Sequence, residues 1–492
     1  MINEIPRPEF TEMLIGGQWL GALGGQTFTV NNPARGQDIC EVPRAGAADV
    51  DRAVIAAAQA FETWKKLAPR ERGKLLLAIG NEIDAQNESL ARLLALETGN
   101  ALRTQARPEL KTAAEVFRYF GGVAGELKGE TIPIDERMLN FTVRSPIGVV
   151  GAIIPWNAPA ILASVKIAPA LCAGNTMVLK TAEDAPLTVL AIAAICAKHL
   201  PPGVLNVLTG FGADCGAALT THPGISKLSF TGSTAVGRSV MRAASERIVP
   251  VSLELGGKSP SIIFPDADQD WVADGVIAAA RISRQSQSCT AGTRLFVHDK
   301  VFDSFVERVA GKLKAIRMGD PLDEQTDMGS LINSKQYERV CSFIQEGLDN
   351  PAIKLAAGGL PAAGGAGFFT PPTLFTGVDN GWRLAQEEIF GPVLCAIRWS
   401  DPDEMLRQAN ATHYGLAAYV WTHDIGAALR TVDAIDAGFV QVNQGFGQFP
   451  GQAYGGMKQS GIGREYSLEG MLESFTARKN VCLNVRTPSA AA

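Results

Sequence analysis

Residues 147–180 read IGVVGAIIPWNAPAILASVKIAPALCAGNTMVLK and contain the pattern that decides the fold. The apolar run 147–154 predicts a buried strand, 160–171 has helical spacing, and Thr176–Lys180 is a second apolar run. Two buried strands joined by a helix indicate a βαβ unit, whose strands are parallel. The uncharged stretch 145–165 is nearly long enough to span a membrane, but its prolines favour a strand and turn leading into a helix.

The same alternation continues on both sides of residue 256. Before it, further strand-like runs lie at 204–209 and 228–231, and segments of helical spacing lie at 186–199, 213–221 and 235–246. After Ser259, helical patterns lie at 271–284, 301–316 and 336–347, and strand-like runs lie at Arg294–His298, Val393–Trp399 and 439–443. Because each half has its own alternation, we predict two α/β domains with a boundary near Gly256 and Gly257.

Several segments lie outside these alternations. The N-terminal part contains two patterns of amphipathic helices, Ala47–Trp64 and 69–96. Residues 130–143 alternate in character like an extended arm or hairpin, and 476–485 is strand-like. The Gly- and Ala-rich tract 356–367 predicts a surface loop.

The composition excludes several classes of protein. The chain has 492 residues, of which 19% are charged and 46% hydrophobic, so it has ample material for two or three domains. A net charge of −5 gives no reason to expect nucleic acid or an anionic membrane as partner. Residues 1–13 lack the pattern of a secretion signal, and the 8 cysteines form no CxxC pair, so we expect a cytoplasmic protein without a metal site.

Two glycine-containing segments are candidates for binding the phosphates of a nucleotide. The segment from Gly210 to Gly216 comes close to the dinucleotide fingerprint but has one residue too many, which favours an ordinary strand-to-helix turn. The segment 230–237 follows a strand and opens a helix, so Gly232, Ser233 and the free N–H groups of the helix can receive a phosphate. A capped helix without a ligand explains this second segment equally well.

Lys180 and Glu183 lie at or just beyond the end of a predicted strand, where open α/β sheets bind ligands. A carboxylate there suits a ribose 2′-hydroxyl, and a lysine suits a hydroxyl or a phosphate. Taken alone, the two residues are more simply explained as polar side chains of a surface loop.

Five short motifs together resemble the aldehyde dehydrogenase superfamily, in the same order and at family-like spacing over about residues 15–484. They are IPWN at 154–157, LELGGKSP at 253–260, QSCTAG at 287–292, EIFGP at 388–392 and GGMKQSGIGRE at 455–465. The resemblance implies an α/β fold with a Rossmann-like coenzyme domain (1–125 and 147–256) and an α/β catalytic domain (257–460). It also implies a small β oligomerisation arm with the C-terminal tail (126–146 and 461–492). The tail strand would join the partner subunit's sheet in a homodimer or homotetramer. Of the two candidate phosphate-binding segments, the resemblance favours 230–237.

For catalysis, the resemblance implies that Cys289 attacks the aldehyde to form a thiohemiacetal, from which a hydride leaves readily. The side chain of Asn157 and the backbone N–H of Cys289 would stabilise the oxyanion, and Glu254 would activate the water that hydrolyses the thioester. Lys166 and Glu465 would relay protons from Glu254. Without the resemblance, Asn157 is equally a helix cap and Glu254 a partner in an ion pair.

The resemblance further implies NAD as cofactor, with NADP bound more weakly because Glu183 repels a 2′-phosphate. Lys180 and Glu183 are expected to bind the adenosine ribose, and Gly232 and Ser233 the pyrophosphate. Glu388 is expected to bind the nicotinamide ribose. The full set of expected coenzyme-binding residues is Ile153, Pro155, Trp156, Lys180, Glu183, Phe230, Gly232, Ser233, Gly256, Glu388 and Phe390. The residues expected to line the substrate pocket are Ala158, Leu162, Val165, Ser288, Thr290, Phe446 and Gln448.

Two positions depart from the family pattern: Ser286 stands where a glycine is common, and Ala158 stands where a large aromatic residue often follows the asparagine. Small residues at Ala158 and Val165 predict room for a bulky, ring-containing or branched aldehyde with a polar group. The alternative is a general-purpose pocket that Phe446 or Phe449 refills. The rival functions are a coenzyme-A-acylating dehydrogenase, which the carboxylate at position 254 disfavours, and a non-catalytic binding or structural protein with the same fold.

Overall fold

The computed structural model describes residues 8–362 and 364–485. Its α-helices are α1 (Ala47–Trp64), α2 (Pro69–Ala85), α3 (Asn87–Thr98), α4 (Arg107–Gly122), α5 (Pro159–Cys172), α6 (Leu187–His199), α7 (Ala217–Thr221), α8 (Thr234–Ser245), α9 (Asp270–Ala279), α10 (Phe302–Lys314), α11 (Ser334–Asp349), α12 (Arg383–Gln386), α13 (Pro402–Asn410), α14 (Ile425–Ala434) and α15 (Leu468–Phe475). Its strands are β1 (Met13–Ile15), β2 (Gln18–Leu20), β3 (Thr27–Asn32), β4 (Gln37–Pro43), β5 (Thr131–Ile132), β6 (Met138–Pro146), β7 (Val149–Ile153), β8 (Thr176–Lys180), β9 (Leu205–Leu208), β10 (Lys227–Thr231), β11 (Val251–Glu254), β12 (Pro260–Ile263), β13 (Arg294–His298), β14 (Lys354–Ala357), β15 (Thr373–Thr376), β16 (Val393–Trp399), β17 (Ala417–Trp421), β18 (Phe439–Val442), β19 (Gly461–Ile462) and β20 (Thr476–Asn484).

The first sheet has the order β19-β11-β10-β7-β8-β9-β1-β2. Its five central strands, β7 to β11, are parallel, as the βαβ pattern predicts. From β7 the chain moves outward to β8 and β9 on one side and then returns to β10 and β11 on the other. Ligands bind outside the carboxyl ends of the strands where the order reverses in this way. The loops after β7 and β10, which contain Asn157 and Gly232, lie at that point.

The second sheet has the order β14-β15-β16-β13-β12-β17-β18 and is parallel except for its edge strand β14. The chain passes from the first sheet to the second between Glu254, the last residue of β11, and Pro260, the first residue of β12. The segment that joins the sheets therefore contains Gly256 and Gly257.

A third sheet joins the arm to the tail. Strand β20 pairs antiparallel with β6 along its whole length, and β5 pairs with β6 on the other side. The tail strand thus pairs with the arm of its own chain. Large apolar side chains of this sheet are exposed, among them Ile132, Leu139 and Leu483. The final part of the predicted tail, 486–492, lies outside the described residues.

Four details differ from the sequence-based expectations. The segment 69–96 is two helices, because the backbone of Gln86 leaves the helical region and serves as the C-cap of α2 and the N-cap of α3. Helix 271–284 ends at Ala279, since Arg281 adopts a left-handed conformation with φ of 56°. The tract 356–367 begins inside strand β14. Strands β1 to β4 were not predicted, because β1 and β2 have only three residues each and polar residues interrupt the apolar pattern of β3 and β4.

Helix α5 connects the core to the site. It is apolar on nearly every side, and all its residues from Ala163 to Cys172 are buried. A helix of this kind is packed on all sides, and here α4 and α6 are among its neighbours. The start of α5, just after Asn157, is therefore held rigidly in place.

Candidate active site

A cavity of about 1530 Å³ lies at the carboxyl ends of the parallel strands of the first sheet and extends to loops and helices that connect the strands of the second sheet. Of the residues predicted for the site, its wall contains Asn157, Glu254, Cys289 and Glu465; Ile153, Pro155, Trp156, Lys180, Glu183, Phe230, Gly232, Ser233, Gly256, Glu388 and Phe390; and Ala158, Leu162, Ser288, Thr290, Phe446 and Gln448. Residues separated by hundreds of positions in the sequence therefore meet in one space.

Two predicted residues do not line the cavity. Val165 is 1% exposed and belongs to the hydrophobic core, because α5 is packed on all sides by that turn. Lys166 is completely buried, and its Nζ forms an ion pair with Glu465, whose side chain does reach the cavity. Val165 thus lies behind the pocket wall, and Lys166 contacts the site through Glu465.

The turn that precedes Cys289 has an unusual backbone. Arg281, Gln285 and Ser286 adopt positive φ angles of 56°, 50° and 51°. Such conformations cost non-glycine residues about 1–3 kcal/mol each and cluster at functional sites. A glycine fits position 286 without strain, whereas the serine of this chain gains a hydrogen bond that Oγ donates to the carbonyl of Ala280 at 2.6 Å.

The Cys289 thiol lies in a largely enclosed setting. Its Sγ is 3.4 Å from the hydroxyl oxygen of Tyr454. Burial raises the pKa of the thiol to about 11, and the carboxyl groups of Glu254 and Glu388 act in the same direction, whereas the hydrogen bond with Tyr454 lowers it. The thiol is therefore protonated near neutral pH unless its surroundings change.

Two hydrogen-bond donors lie beside the thiol. The Asn157 side-chain nitrogen donates one hydrogen bond to the carbonyl of Gln287 at 2.9 Å, which fixes the amide and leaves its second N–H available. Asn157 does not cap α5: the N-cap position is Ala158, and no side chain bonds there. Among the described residues, the backbone N–H of Cys289 has no hydrogen-bond partner within the chain. Both donors can therefore serve an oxyanion.

Glu254 ends β11 and is 3% exposed. Neither of its carboxyl oxygens has a hydrogen-bond partner within the described part of the chain. Burial raises its pKa well above the usual value; the charge of Glu465 raises it further, whereas Lys166 and Arg464 lower it. Glu254 is therefore not a member of an ion pair, and its raised pKa is the property required of a group that accepts a proton from water.

The opposite end of the cavity has the form of a phosphate and ribose site. Strand β10 ends at Thr231, and α8 begins at Thr234 with Ser233 as N-cap, its Oγ accepting from the N–H of Val236 at 3.4 Å. A helix N-terminus of this kind attracts phosphate. The Lys180 ammonium lies 3.0 Å from the Glu183 carboxylate at the end of β8.

Glu388 lies between these two ends of the cavity. Its Oε1 accepts a hydrogen bond from the Gly257 N–H at 2.9 Å, and burial raises its pKa to about 7. A side chain at Gly256 would lie 2.4 Å from its other oxygen, so only glycine allows this approach. The rings of Trp156 and Phe390 pack edge to face at 5.4 Å. The helix end, the buried carboxyl and the aromatic pair together fit an elongated dinucleotide such as NAD.

Comparison with known proteins identifies the family. The aldehyde dehydrogenase family pattern matches residues 19–481. This chain belongs to the aldehyde dehydrogenase family. It is 41% identical over 482 residues to phenylacetaldehyde dehydrogenase of Pseudomonas fluorescens (96% of this chain, 95% of the relative). It is also 41% identical over 482 residues to retinal dehydrogenase 2 of Homo sapiens (97% and 92%).

A solved structure extends this likeness to the fold. The NAD⁺ complex of aldehyde dehydrogenase from Bacillus cereus superposes with a TM-score of 0.94 at 38% identity, over 97% of both chains. The α/β fold with a Rossmann-like coenzyme domain and the assignment as an aldehyde-oxidising enzyme are confirmed.

Among the residues of the enzyme's cavity that the sequence-based prediction missed are Tyr454, Arg281, Arg284 and Glu109. Tyr454 directly precedes the GGMKQSGIGRE motif but lies 165 positions from Cys289, so nothing local connects the two. The arginines lie eight and five positions before Cys289, a proximity that does point to the site.

None of the helices in residues 8–362 and 364–485 has the length and apolar character needed to cross a membrane. The same ranges also contain no cluster of three or more His, Cys, Asp or Glu residues arranged to hold a metal ion.

Proposed function

We propose that this enzyme catalyses the NAD-dependent oxidation of an aldehyde to its carboxylic acid through a thioester on Cys289 that water hydrolyses. The observation that carries the proposal is the meeting of three groups in one cavity: the Cys289 thiol, the Asn157 amide and the unpaired carboxyl of Glu254. These groups serve the three successive needs of the reaction, namely a nucleophile, an oxyanion donor and a base.

The first step is loss of the Cys289 thiol proton to solvent water, followed by addition of the thiolate sulfur to the aldehyde carbon. The oxygen becomes an oxyanion, to which the free N–H of Asn157 and the backbone N–H of Cys289 donate; one such donor contributes about 3–4 kcal/mol to the transition state. Bound NAD supplies the acceptor for the hydride that the adduct releases.

The second step is hydrolysis of the thioester. Glu254 accepts a proton from water, which attacks the thioester carbon and releases the acid and the thiolate. The charge of Glu465 raises the pKa of Glu254, and the charge of Lys166 lowers it. Because Lys166 and Glu465 also form an ion pair with each other, we assign them the onward relay of the proton. Glu254 has no partner to displace before it acts.

The decisive experiment is turnover of an aldehyde panel with NAD, with and without coenzyme A, and with product analysis. We expect NADH formation and free acid in both conditions. An acyl-coenzyme A product would support the acylating alternative, which is disfavoured by the carboxyl at position 254. No NADH with any aldehyde would support a non-catalytic protein.

The preferred aldehyde is proposed to be bulky, with a ring or a branch. The small side chain of Ala158 lines the cavity at the start of α5, and the rings of Phe446 and Phe449 are 61% and 57% exposed, which supports a pocket with room for a large group. The relatives named for phenylacetaldehyde and retinal support a substrate of this size. In Ala158→Phe, kcat/KM for benzaldehyde should fall about tenfold relative to acetaldehyde, whereas Ala158→Gly should keep the ranking. A wild-type preference for acetaldehyde contradicts this proposal.

The division into domains and the assembly are further proposals. The change of sheet between Glu254 and Pro260 supports a coenzyme domain of 1–125 and 147–256 and a catalytic domain of 257–460. The exposed apolar side chains of the β5-β6-β20 sheet support an oligomerisation arm, 126–146 with 461–492, in a homodimer or homotetramer. Light scattering of the wild type and of Leu139→Asp tests the assembly, since a buried charge should dissociate it.

A further inference from the structure

Two arginines line the cavity close to the nucleophile. Arg284 is near enough for its charge to lower the pKa of Cys289, and the charge of Arg281 acts in turn on Arg284. The other groups that face Arg284 are Glu109 and Tyr466. None of these residues belongs to the phosphate and ribose end of the site.

The guanidinium of Arg284 is poorly satisfied. Its side chain is 16% exposed, and its one carboxylate contact joins Nη2 to Glu109 at 3.5 Å, which is long for a charged hydrogen bond. Its Nε is buried without a partner. A buried charge is stable only when it is well paired, so Arg284 gains from a second anion.

Glu109 cannot supply a better pairing, because its carboxylate is engaged elsewhere. One oxygen accepts from the backbone N–H of Ala160 at 3.2 Å, at the start of α5, and the other accepts from Gln105 at 3.3 Å. Glu109 therefore belongs to the framework of α5. Glu109 pairs with Arg284, whereas Arg281, whose charge also acts on Arg284, has no carboxylate partner among the described residues.

The arginines are held in place by the turn that bears them. The short helix Ile282–Arg284 lies between Arg281 and Gln285, both with positive φ. Arg281 donates to the carbonyls of Gly445 and Phe446 at 3.1 Å and 2.7 Å and thereby holds this loop of the cavity wall in place. Strain of this kind persists where the surrounding structure needs a side chain in one position.

We propose that Arg284 binds a carboxylate of the substrate, with Arg281 adding positive charge, so that the preferred substrates are aldehydes that also carry an acidic group. This inference rests on the proposed function. It specifies that the polar group predicted for the aldehyde substrate is an anion. The planar guanidinium can bind a carboxylate through two parallel hydrogen bonds, an arrangement that a neutral ester cannot replace. The aldehyde end of the same molecule then reaches Cys289.

The test compares each acid with its own methyl ester in the full-length enzyme with NAD. The pairs are 4-carboxybenzaldehyde, 4-oxobutanoate and 6-oxohexanoate, which place the carboxylate at different distances from the aldehyde. We expect kcat/KM to favour at least one acid over its ester by about tenfold or more, mainly through KM. Because the comparison is internal to each pair, it is independent of the overall rate.

Two substitutions should move this ratio in opposite directions. Arg284→Met should bring the acid-to-ester ratio close to one, because the charge is lost at similar volume. Glu109→Gln should increase the ratio, because the guanidinium loses its competing carboxylate. Arg308→Met, which removes a remote arginine of α10 that pairs with Asp268 and Asp270, is the control and should keep the wild-type ratio.

Each outcome decides the question. Esters oxidised as well as the acids in all three pairs, or a ratio that survives in Arg284→Met, overturn the inference while leaving the proposed function intact. If Arg284→Met does not fold, an unchanged or smaller ratio in Glu109→Gln overturns it. Oxidation of none of the six compounds contradicts the proposed function itself and this inference with it.

Discussion

The two ends of the cavity differ in how far their charged groups are paired within the protein. At the coenzyme end, Lys180 and Glu183 lie 3.0 Å apart, and between the two ends Glu388 accepts a backbone N–H at 2.9 Å. At the reacting end, both oxygens of Glu254 and Nε of Arg284 are buried without hydrogen-bond partners among the described residues. The charged groups of the coenzyme end are thus paired with each other, whereas these atoms of the reacting end are not paired.

This difference follows from what each end does. Groups that only hold a ligand can be paired beforehand, because pairing keeps them in position. A buried polar group without a partner costs about 1–3 kcal/mol, so it persists where the reaction or the substrate supplies the missing partner. We therefore expect substitutions at the reacting end to have the larger effects, and four predictions test that ranking.

The largest effect is expected for Cys289→Ala. Without the thiol no covalent adduct forms, so aldehyde-dependent NADH formation should fall by a factor on the order of 10⁵. Binding of NAD, measured by fluorescence titration, should be retained because the coenzyme end is unchanged. Cys40→Ala, a substitution away from the cavity, should behave like wild type. Substantial turnover in Cys289→Ala would remove the nucleophile from the proposed mechanism.

The second-largest effect on turnover is expected for Glu254→Gln. Loss of the base should lower steady-state turnover about 10²–10⁴-fold, whereas thiolate addition continues. Rapid mixing should therefore show one burst of NADH, and mass spectrometry should show acylated Cys289. Glu473→Gln, on the exposed face of α15, is the control. Unchanged steady-state turnover in Glu254→Gln rules out this residue as the base.

A smaller effect is expected for Tyr454→Phe. The hydroxyl lowers the pKa of Cys289, so its removal raises that pKa and reduces the thiolate fraction at every pH below it. A change of about one pKa unit lowers the rate near neutral pH about tenfold, and the pH–rate profile moves to higher pH. Tyr337→Phe, which alters no residue of the cavity wall, should leave the profile in place. A profile that stays in place in Tyr454→Phe contradicts this role.

The smallest effect is expected at the coenzyme end. In Glu183→Gln, the ratio of kcat/KM for NAD to that for NADP should fall about two- to fivefold, because Glu183 is 40% exposed and its charge is screened. The wild type should prefer NAD, since the carboxylate repels a 2′-phosphate. Glu246→Gln, at the end of α8, is the control. A wild-type preference for NADP would contradict the assigned role of Glu183.

Much of the fold and of the candidate site could be predicted from the sequence, because the relevant signals are local. The apolar runs of β7 and β8 with the intervening helix predicted a parallel sheet, and β7 to β11 confirm it. The motifs around Asn157, Glu254 and Cys289 combine special residue types within a few positions. The helix break at Gln86 was missed because helical periodicity continues across it.

The sequence by itself determined the family and the alternation of strands and helices around β7 and β8, and it pointed to Cys289 as the proposed nucleophile, because each depends on residues close together in the chain. Only the tertiary structure decided which distant groups meet. Tyr454 contacts Cys289 across 165 positions, Arg284 contacts Glu109 across 175, and Lys166 contacts Glu465 across 299. It also decided that Glu254 has no partner and that Val165 lies behind the pocket wall. The physical reason is that burial and pairing depend on how whole helices and sheets pack, and sequence spacing does not encode that packing.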